Sequence, residues 1–313
     1  MKELQISKDL SNIIKGLSCL LIVAHHFCLR LDGRDSDNLL VHFIGVRGGV
    51  IGLAVFFFLS AWGLSESQEK NRYPFIGFVS RRLSKIFIPL FITNVIYYFV
   101  LLLNNQISFN LSNLLLTAFN LKLYDGALWF CNTILIFYII FYFSFLPNSK
   151  WIKVFICLMA TILYSIVLTI LFPHAPFYVY SLVGFPLGMI LSLYKKSALS
   201  IRFCGLCFLF FSLFLLGGAF ISPFYEKLFL MNFFSFLIVF FLVSIIVVSH
   251  RVSLPVKLTV LPFIGFYSYE IYLLHNKVLV YVATIGHLIW YPLAFLLFVI
   301  PLAMLLKSLL KKS

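Results

Sequence analysis

The stretch NIIKGLSCLLIVAHHFCLR, residues 12–30, decides the fold class. It is about as long as an α-helix must be to cross a ~30 Å hydrocarbon core. It is apolar apart from Lys15, the His25–His26 pair and a few terminal groups, and its polarity does not alternate. Nine further runs of this kind follow, at 43–64, 85–103, 127–146, 151–172, 177–194, 202–221, 229–249, 263–284 and 287–308. A membrane β-barrel would instead show segments of about ten residues alternating in polarity. Helices also satisfy their own backbone polar groups, which lipid cannot do.

Composition agrees. Of 313 residues, 62% are hydrophobic, 11% are charged and 38 are Phe. An ordinary soluble domain is about one quarter charged, so this chain lacks the polar groups to cover a water-facing surface. A soluble globule and a disordered chain are both excluded. The expected fold is all-α: a polytopic membrane helix bundle of about ten transmembrane helices, forming one domain over 1–313. The first run lacks a small-residue cleavage site and reads as a span rather than a removable leader.

The net charge of +14 would suggest nucleic acid on a soluble protein. Here the cations fall between apolar runs, so no nucleic-acid partner is expected and topology explains them first. With the N-terminus inside, 18 of the 24 Lys and Arg residues lie in inner segments. Only Arg30, Arg34, Arg47, Lys122, Lys227 and Lys277 fall on the outer side. The bias holds loop after loop, so an even span count with both termini cytoplasmic follows. The six cysteines sit mostly inside apolar runs and form no disulfide framework. Cys204 and Cys207 read as small core residues. No metal site is expected, because the seven histidines are scattered and the adjacent pair points to different faces.

Ionisable groups inside a span are expensive, and each marks a candidate site. Lys15 and His26 are eleven residues apart, about three full helical turns, so they share a face with a rise of roughly 16 Å. A cation at the inner surface then lies below a histidine near mid-membrane. A neutral imidazole there suits a general base, although a packing hydrogen bond is the plainer alternative. Arg81, Arg82 and Lys85 open the third span on the inside, and together they could bind a phosphorylated ligand. An ordinary positive-inside anchor is the alternative. Glu270, buried in the ninth span, must be paired, protonated or facing a polar cavity. His275, five residues on, points about 140° away from it. Either could touch substrate or hydrogen-bond a neighbouring helix. Trp129 could be an interfacial anchor or a substrate contact. The segment from Gly52 to Trp62, which includes Ser60, reads as close helix packing.

In this order, these pieces resemble the acyltransferase type 3 family of membrane acyltransferases. The family's basic residue, ten residues and His in span one is similar to Lys15 through His26, with Lys for the usual Arg. Phe-Phe-x-x-Ser-Gly resembles Phe56-Phe57-Phe58-Leu59-Ser60-Ala61, with Ala61 for the usual Gly. Arg-Arg-x-x-Arg resembles Arg81-Arg82-Leu83-Ser84-Lys85. Trp-Phe matches Trp129-Phe130. Ser-Tyr-x-x-Tyr-Leu-x-His matches Ser268, Tyr269, Tyr272, Leu273 and His275. The resemblance covers essentially the whole chain, with no appended hydrolase-like domain.

The resemblance implies an O-acyltransferase that moves an acyl group, acetyl above all, from acyl-coenzyme A at the cytoplasmic side. The acceptor would be a hydroxyl of a surface glycan or lipid-linked sugar. It implies His26 as general base, or as the site of an acyl-histidine intermediate. It implies Lys15, Arg81, Arg82 and Lys85 as donor-binding residues, and Ser60, Trp129, Glu270 and His275 as candidate substrate contacts. Acetyl-coenzyme A would be a co-substrate rather than a bound cofactor, and membrane lipids the surroundings, in a bacterial inner membrane. The rival reading is a transporter or flippase of lipid-linked sugars, which would show helix breaks at matching places in two halves. Eight of the eleven prolines lie in the second half and three in the first, without a paired pattern.

Overall fold

The computed structural model describes residues 6–31, 37–195, 260–284, 286 and 288–311. Every regular element among them is helical. We number the helices α1 (Lys8–Arg30), α2 (Leu39–Lys70), α3 (Phe75–Leu103), α4 (Leu111–Ala118), α5 (Trp129–Phe145), α6 (Lys150–Leu171), α7 (Gly184–Leu193), α8 (Val260–Phe266), α9 (Ser268–Thr284) and α10 (Leu288–Leu310). Among the described residues, six segments are long and apolar enough to cross a membrane. They lie in α1, α2, α3, α5, α6 and α10, and correspond to expected spans one to five and ten.

The remaining expected spans differ. Span six is the short helix α7, entered through a 3-10 turn at Pro176–Tyr178. Span nine is broken at Tyr267 into α8 and α9. The expected spans at 202–221 and 229–249, and the Cys204–Cys207 pair, lie outside the described residues.

Local chemistry sets the helix ends. The Ser7 hydroxyl accepts from the Leu10 N–H at 3.2 Å, and Asp9 sits in the first turn of α1. Both complement the unsatisfied N–H groups and positive dipole there. Asn38 caps α2 through the Leu40 and Val41 N–H groups. Residues 44–48 of α2 widen into a π-helical turn, a local irregularity that recurs near functional sites. Pro89 removes an N–H from the interior of α3. The Thr93 hydroxyl donates to the Pro89 carbonyl at 2.9 Å.

In lipid, helices associate through close packing rather than through exclusion of water, and small residues permit it. Gly184 and Gly188, four apart on α7, lie against the Ala54 and Phe58 carbonyls of α2. A methyl group at either position would overlap that oxygen. Around this contact Phe57, Phe137, Phe141 and Phe185 form a buried aromatic core, with Phe137 and Phe185 stacked at 4.5 Å. Gly16 and Gly265 bring α1 against α8 in the same way. Helix α1 thus packs against α2, α8 and α9, which surrounds its polar face with protein.

Candidate functional site

Two loops of hydrogen bonds fix the site. The first holds the segment before α5. Asn94 of α3 donates to the Thr117 carbonyl and to the Asn120 side-chain oxygen, both at 3.0 Å. Asn120 donates to the Leu128 carbonyl at 3.1 Å and to Asn132 Oδ1 at 2.9 Å. Asn132 donates back to the Asn120 carbonyl at 2.9 Å. Asn120 has a φ of 58°, a left-handed conformation that Asn tolerates better than most residues. This network presents Asp125 to the interior, where it caps the turn at Gly126–Leu128 through the Ala127 N–H.

The second loop ties α9 to that segment. Asn276 Nδ2 donates to Asp125 Oδ1 at 2.5 Å, and Lys277 Nζ donates to Oδ2 at 3.0 Å. The ion pair is buried, with side chains 7% (Lys277) and 1% (Asp125) exposed. Burial alone would raise the Asp125 carboxyl, but the Lys277 ammonium and the Asn276 hydrogen bond outweigh it and hold the carboxyl below its ordinary range. The Tyr272 hydroxyl donates to the Ala127 carbonyl. Tyr291 of α10 donates to the His275 carbonyl at 3.1 Å. Helix α9 is thereby fixed in rotation.

That rotation places His275 directly against His26. His275 Nε2 lies 2.9 Å from His26 Nδ1, and the ring centroids are 5.0 Å apart. His275 is completely buried, whereas His26 keeps part of its surface accessible. The neighbouring His25 turns the other way and donates from Nδ1 to the Ile44 carbonyl of the π-turn at 3.1 Å. Gly49 lies flat against the His25 ring, where a side chain would collide.

A cavity of about 1530 Å³ opens at the end of the bundle that carries the start of α1. Lys8, Lys15, Lys70, Lys85, Lys195 and Lys307 line it, against Glu66 and Glu270. Two of these cations are committed: Lys195 to Glu66 at 2.6 Å and Lys307 to Glu270 at 3.1 Å. Among the described residues no carboxylate is within ion-pair distance of Lys8, Lys15, Lys70 or Lys85. The walls include Phe56, Ser60, Phe130, Tyr138, Tyr269 and Tyr272. The Tyr272 ring centroid is 5.6 Å from that of His275. One aromatic side chain therefore links the cavity to the histidine pair. A site with a concentrated positive field and an aromatic wall suits an anionic ligand with an uncharged extension.

The residues singled out from the sequence fall into three groups. Lys15, Lys85, Ser60 and Glu270 line the cavity. His26 and His275 form the pair beyond it. Arg81, Arg82 and Trp129 are not among the cavity residues. Arg82 donates to the Ser67 hydroxyl at 2.6 Å, and Arg81 lies over the Tyr73 ring at 4.5 Å. Trp129 is buried against Tyr178, with centroids 4.9 Å apart. Glu270 has its partner in Lys307, while His275, on a different face of α9, meets α1. Sequence reasoning missed Asp125, Asn276 and the pairing role of Lys277, which counted as an outer-side charge. The available signal was a lysine inside an apolar run, which requires a buried carboxylate. Among the described residues, no group of three or more His, Cys, Asp or Glu is placed to hold a metal ion.

The family model described as "Acyltransferase domain" covers residues 11–311. No curated protein and no solved structure matches the chain.

Proposed function

We propose that this chain, which belongs to the acyltransferase domain family, carries an acyl group from acyl-coenzyme A to a hydroxyl, with acetyl as the acyl group and a glycan or lipid-linked sugar as the acceptor. Membership makes it an integral membrane acyltransferase. The donor, the acceptor and the residue roles are our reading. The observation that carries it is the lysine-lined cavity, whose aromatic wall ends one side chain from the His26–His275 pair.

The donor phosphates bind Lys15 and Lys85, with Lys8 and Lys70 adding to the field at the same mouth. Arg81 and Arg82 stand on the same helix as Lys85, outside the cavity wall, and attract the donor before it docks. The pantetheine arm runs along α1, past Ser60 and Tyr272, over the roughly 16 Å rise that separates Lys15 from His26. Helix α1 thus sets both ends of the donor path. Trp129 and Glu270 remain proposed substrate contacts.

The chemistry is direct transfer. His26 Nε2 removes the proton from the acceptor hydroxyl as its oxygen attacks the thioester carbonyl. The C–S bond breaks, and the thiolate of coenzyme A takes up the proton from the His26 imidazolium. An ester and a free thiol result, and His26 returns to its neutral form. Such a base is worth about 10²–10⁴ in rate.

The test is thiol release by the detergent-purified protein given acetyl-coenzyme A and a carbohydrate acceptor mixture. Wild type should release thiol, and His26→Ala should not. Lys15→Gln and Lys85→Gln should raise the KM for donor and flatten its salt dependence, because each removes an ion contact to phosphate. No binding of coenzyme A by wild type would overturn the reading. The transporter reading has no observation in its favour here.

A further inference from the structure

We propose that His275 is a positioning residue that selects the proton tautomer of His26, and so makes His26 a base at Nε2. The inference rests on the reading of His26 as the base and adds how it is kept ready. His275 Nδ1 lies 2.7 Å from the Tyr272 carbonyl oxygen. A carbonyl only accepts, so the proton of His275 sits on Nδ1. In the neutral ring Nε2 is then an acceptor. It faces His26 Nδ1 at 2.9 Å, so His26 must donate there and carry its own proton on Nδ1. The lone pair of His26 is left on Nε2, the nitrogen not held by this contact.

The surroundings lock this polarity. The Tyr272 carbonyl cannot move away, because its own hydroxyl is bonded to the Ala127 carbonyl. The next residues of α9, Asn276 and Lys277, are pinned to Asp125. Tyr291 holds the His275 carbonyl from α10. The titratable groups that face the pair are His25, whose ring centroid is 5.0 Å from that of His26, and the Asp125–Lys277 pair at the base of α9. Asp125 is committed to Lys277, Asn276 and the Ala127 N–H. The polarity of the histidine pair is therefore decided by the Tyr272 carbonyl.

Without His275, His26 Nδ1 loses the acceptor that faces it at 2.9 Å and keeps only weaker guidance from its backbone contact with Ile22, so part of the population would present an N–H where a base is required. Correct tautomer selection costs nothing at the moment of reaction because it is built into the fold.

The experiment is nitrogen NMR of the full chain in detergent, with histidine labelled at both ring nitrogens and the His26 signals assigned by their loss in His26→Gln. Wild type should show His26 with a protonated Nδ1 and a bare Nε2. His275→Leu should shift His26 toward a tautomer mixture. His275→Gln, whose side-chain oxygen can take the place of Nε2 as acceptor, should restore the wild-type signals. In thiol release from acetyl-coenzyme A, His275→Leu should lower kcat by about 10²-fold with KM for donor little changed, and His275→Gln should recover most of it. A wild-type spectrum with the proton on His26 Nε2, or with both nitrogens of His275 protonated, would overturn the proposal, and so would an unchanged His26 in His275→Leu. The wild-type spectrum decides even if a variant fails to fold. Should the spectra agree while His26→Ala still turns over, the base assignment fails and the tautomer selection stands as structure only.

Discussion

Replacing Asp125 with Ala should be among the most damaging single changes to this fold. Its carboxylate accepts three hydrogen bonds, from Asn276 at 2.5 Å, Lys277 at 3.0 Å and the Ala127 N–H at 3.1 Å. Its removal leaves the Lys277 ammonium in the protein interior with the Leu273 carbonyl at 2.9 Å and the Tyr97 ring, whose centroid is 5.2 Å away. An uncompensated buried charge of this kind costs about 3–5 kcal/mol. Asp125→Asn keeps the shape and loses the charge, so its cost should be smaller. The double variant Asp125→Leu with Lys277→Met removes both charges and should recover most of the loss, because a buried pair is weak evidence of net stabilisation. The assay is equilibrium unfolding in mixed micelles, read as a double-mutant cycle. The pH dependence has a definite sign. The Asp125 carboxyl is held below its ordinary value near 3.8, so its contribution is complete above that value and is lost only as pH falls through the lower, folded value. The gap between wild type and Asp125→Asn should therefore be constant from about pH 8 to about pH 5. A cost for Asp125→Ala below about 1 kcal/mol, or a double variant no better than the single ones, would refute this reasoning.

Three further outcomes follow from the packing and the charges. Gly188→Leu should destabilise by several kcal/mol, on the order expected for overpacking, since its side chain must displace the Phe58 carbonyl of α2; Gly63→Ala, with open space around it, should stay near wild type in the same unfolding series. Glu270→Gln should weaken the tie to Lys307 and add positive character to the cavity, so donor KM should fall or hold while thermal stability drops; a rise in KM would contradict the charge argument. Lys85→Glu should reverse the charge of a cation lining the cavity and raise donor KM more than Lys85→Gln does, with the difference shrinking at high salt.

Much of the scaffold was legible because membrane helices write their length and polarity directly into the sequence. Helices α1, α2, α3, α5, α6 and α10 lie where the apolar runs put them. The break at Tyr267 was not legible, since residues 263–284 read as one uninterrupted run while Gly265 must approach the Asn12 carbonyl of α1. Nor was the Gly184–Gly188 contact singled out, although the four-residue spacing of glycines was present. Helical periodicity placed Lys15 and His26 on one face and separated Glu270 from His275. It could not supply the partner of each, which depends on the rotation of α9 about its axis. That rotation is set by Asp125, contributed by a loop remote in sequence. The divergence at Arg81 and Arg82 has the same origin: their spacing marks a basic helix end, and tertiary contacts with Tyr73 and Ser67 decide which cations face the cavity.

The most direct test of the account compares wild type with His26→Gln for acyl transfer from acetyl-coenzyme A, at equal thermal stability and equal coenzyme A affinity. The account predicts turnover by wild type and a loss of at least about 10²-fold in kcat for His26→Gln. Turnover by His26→Gln at the wild-type rate would contradict it.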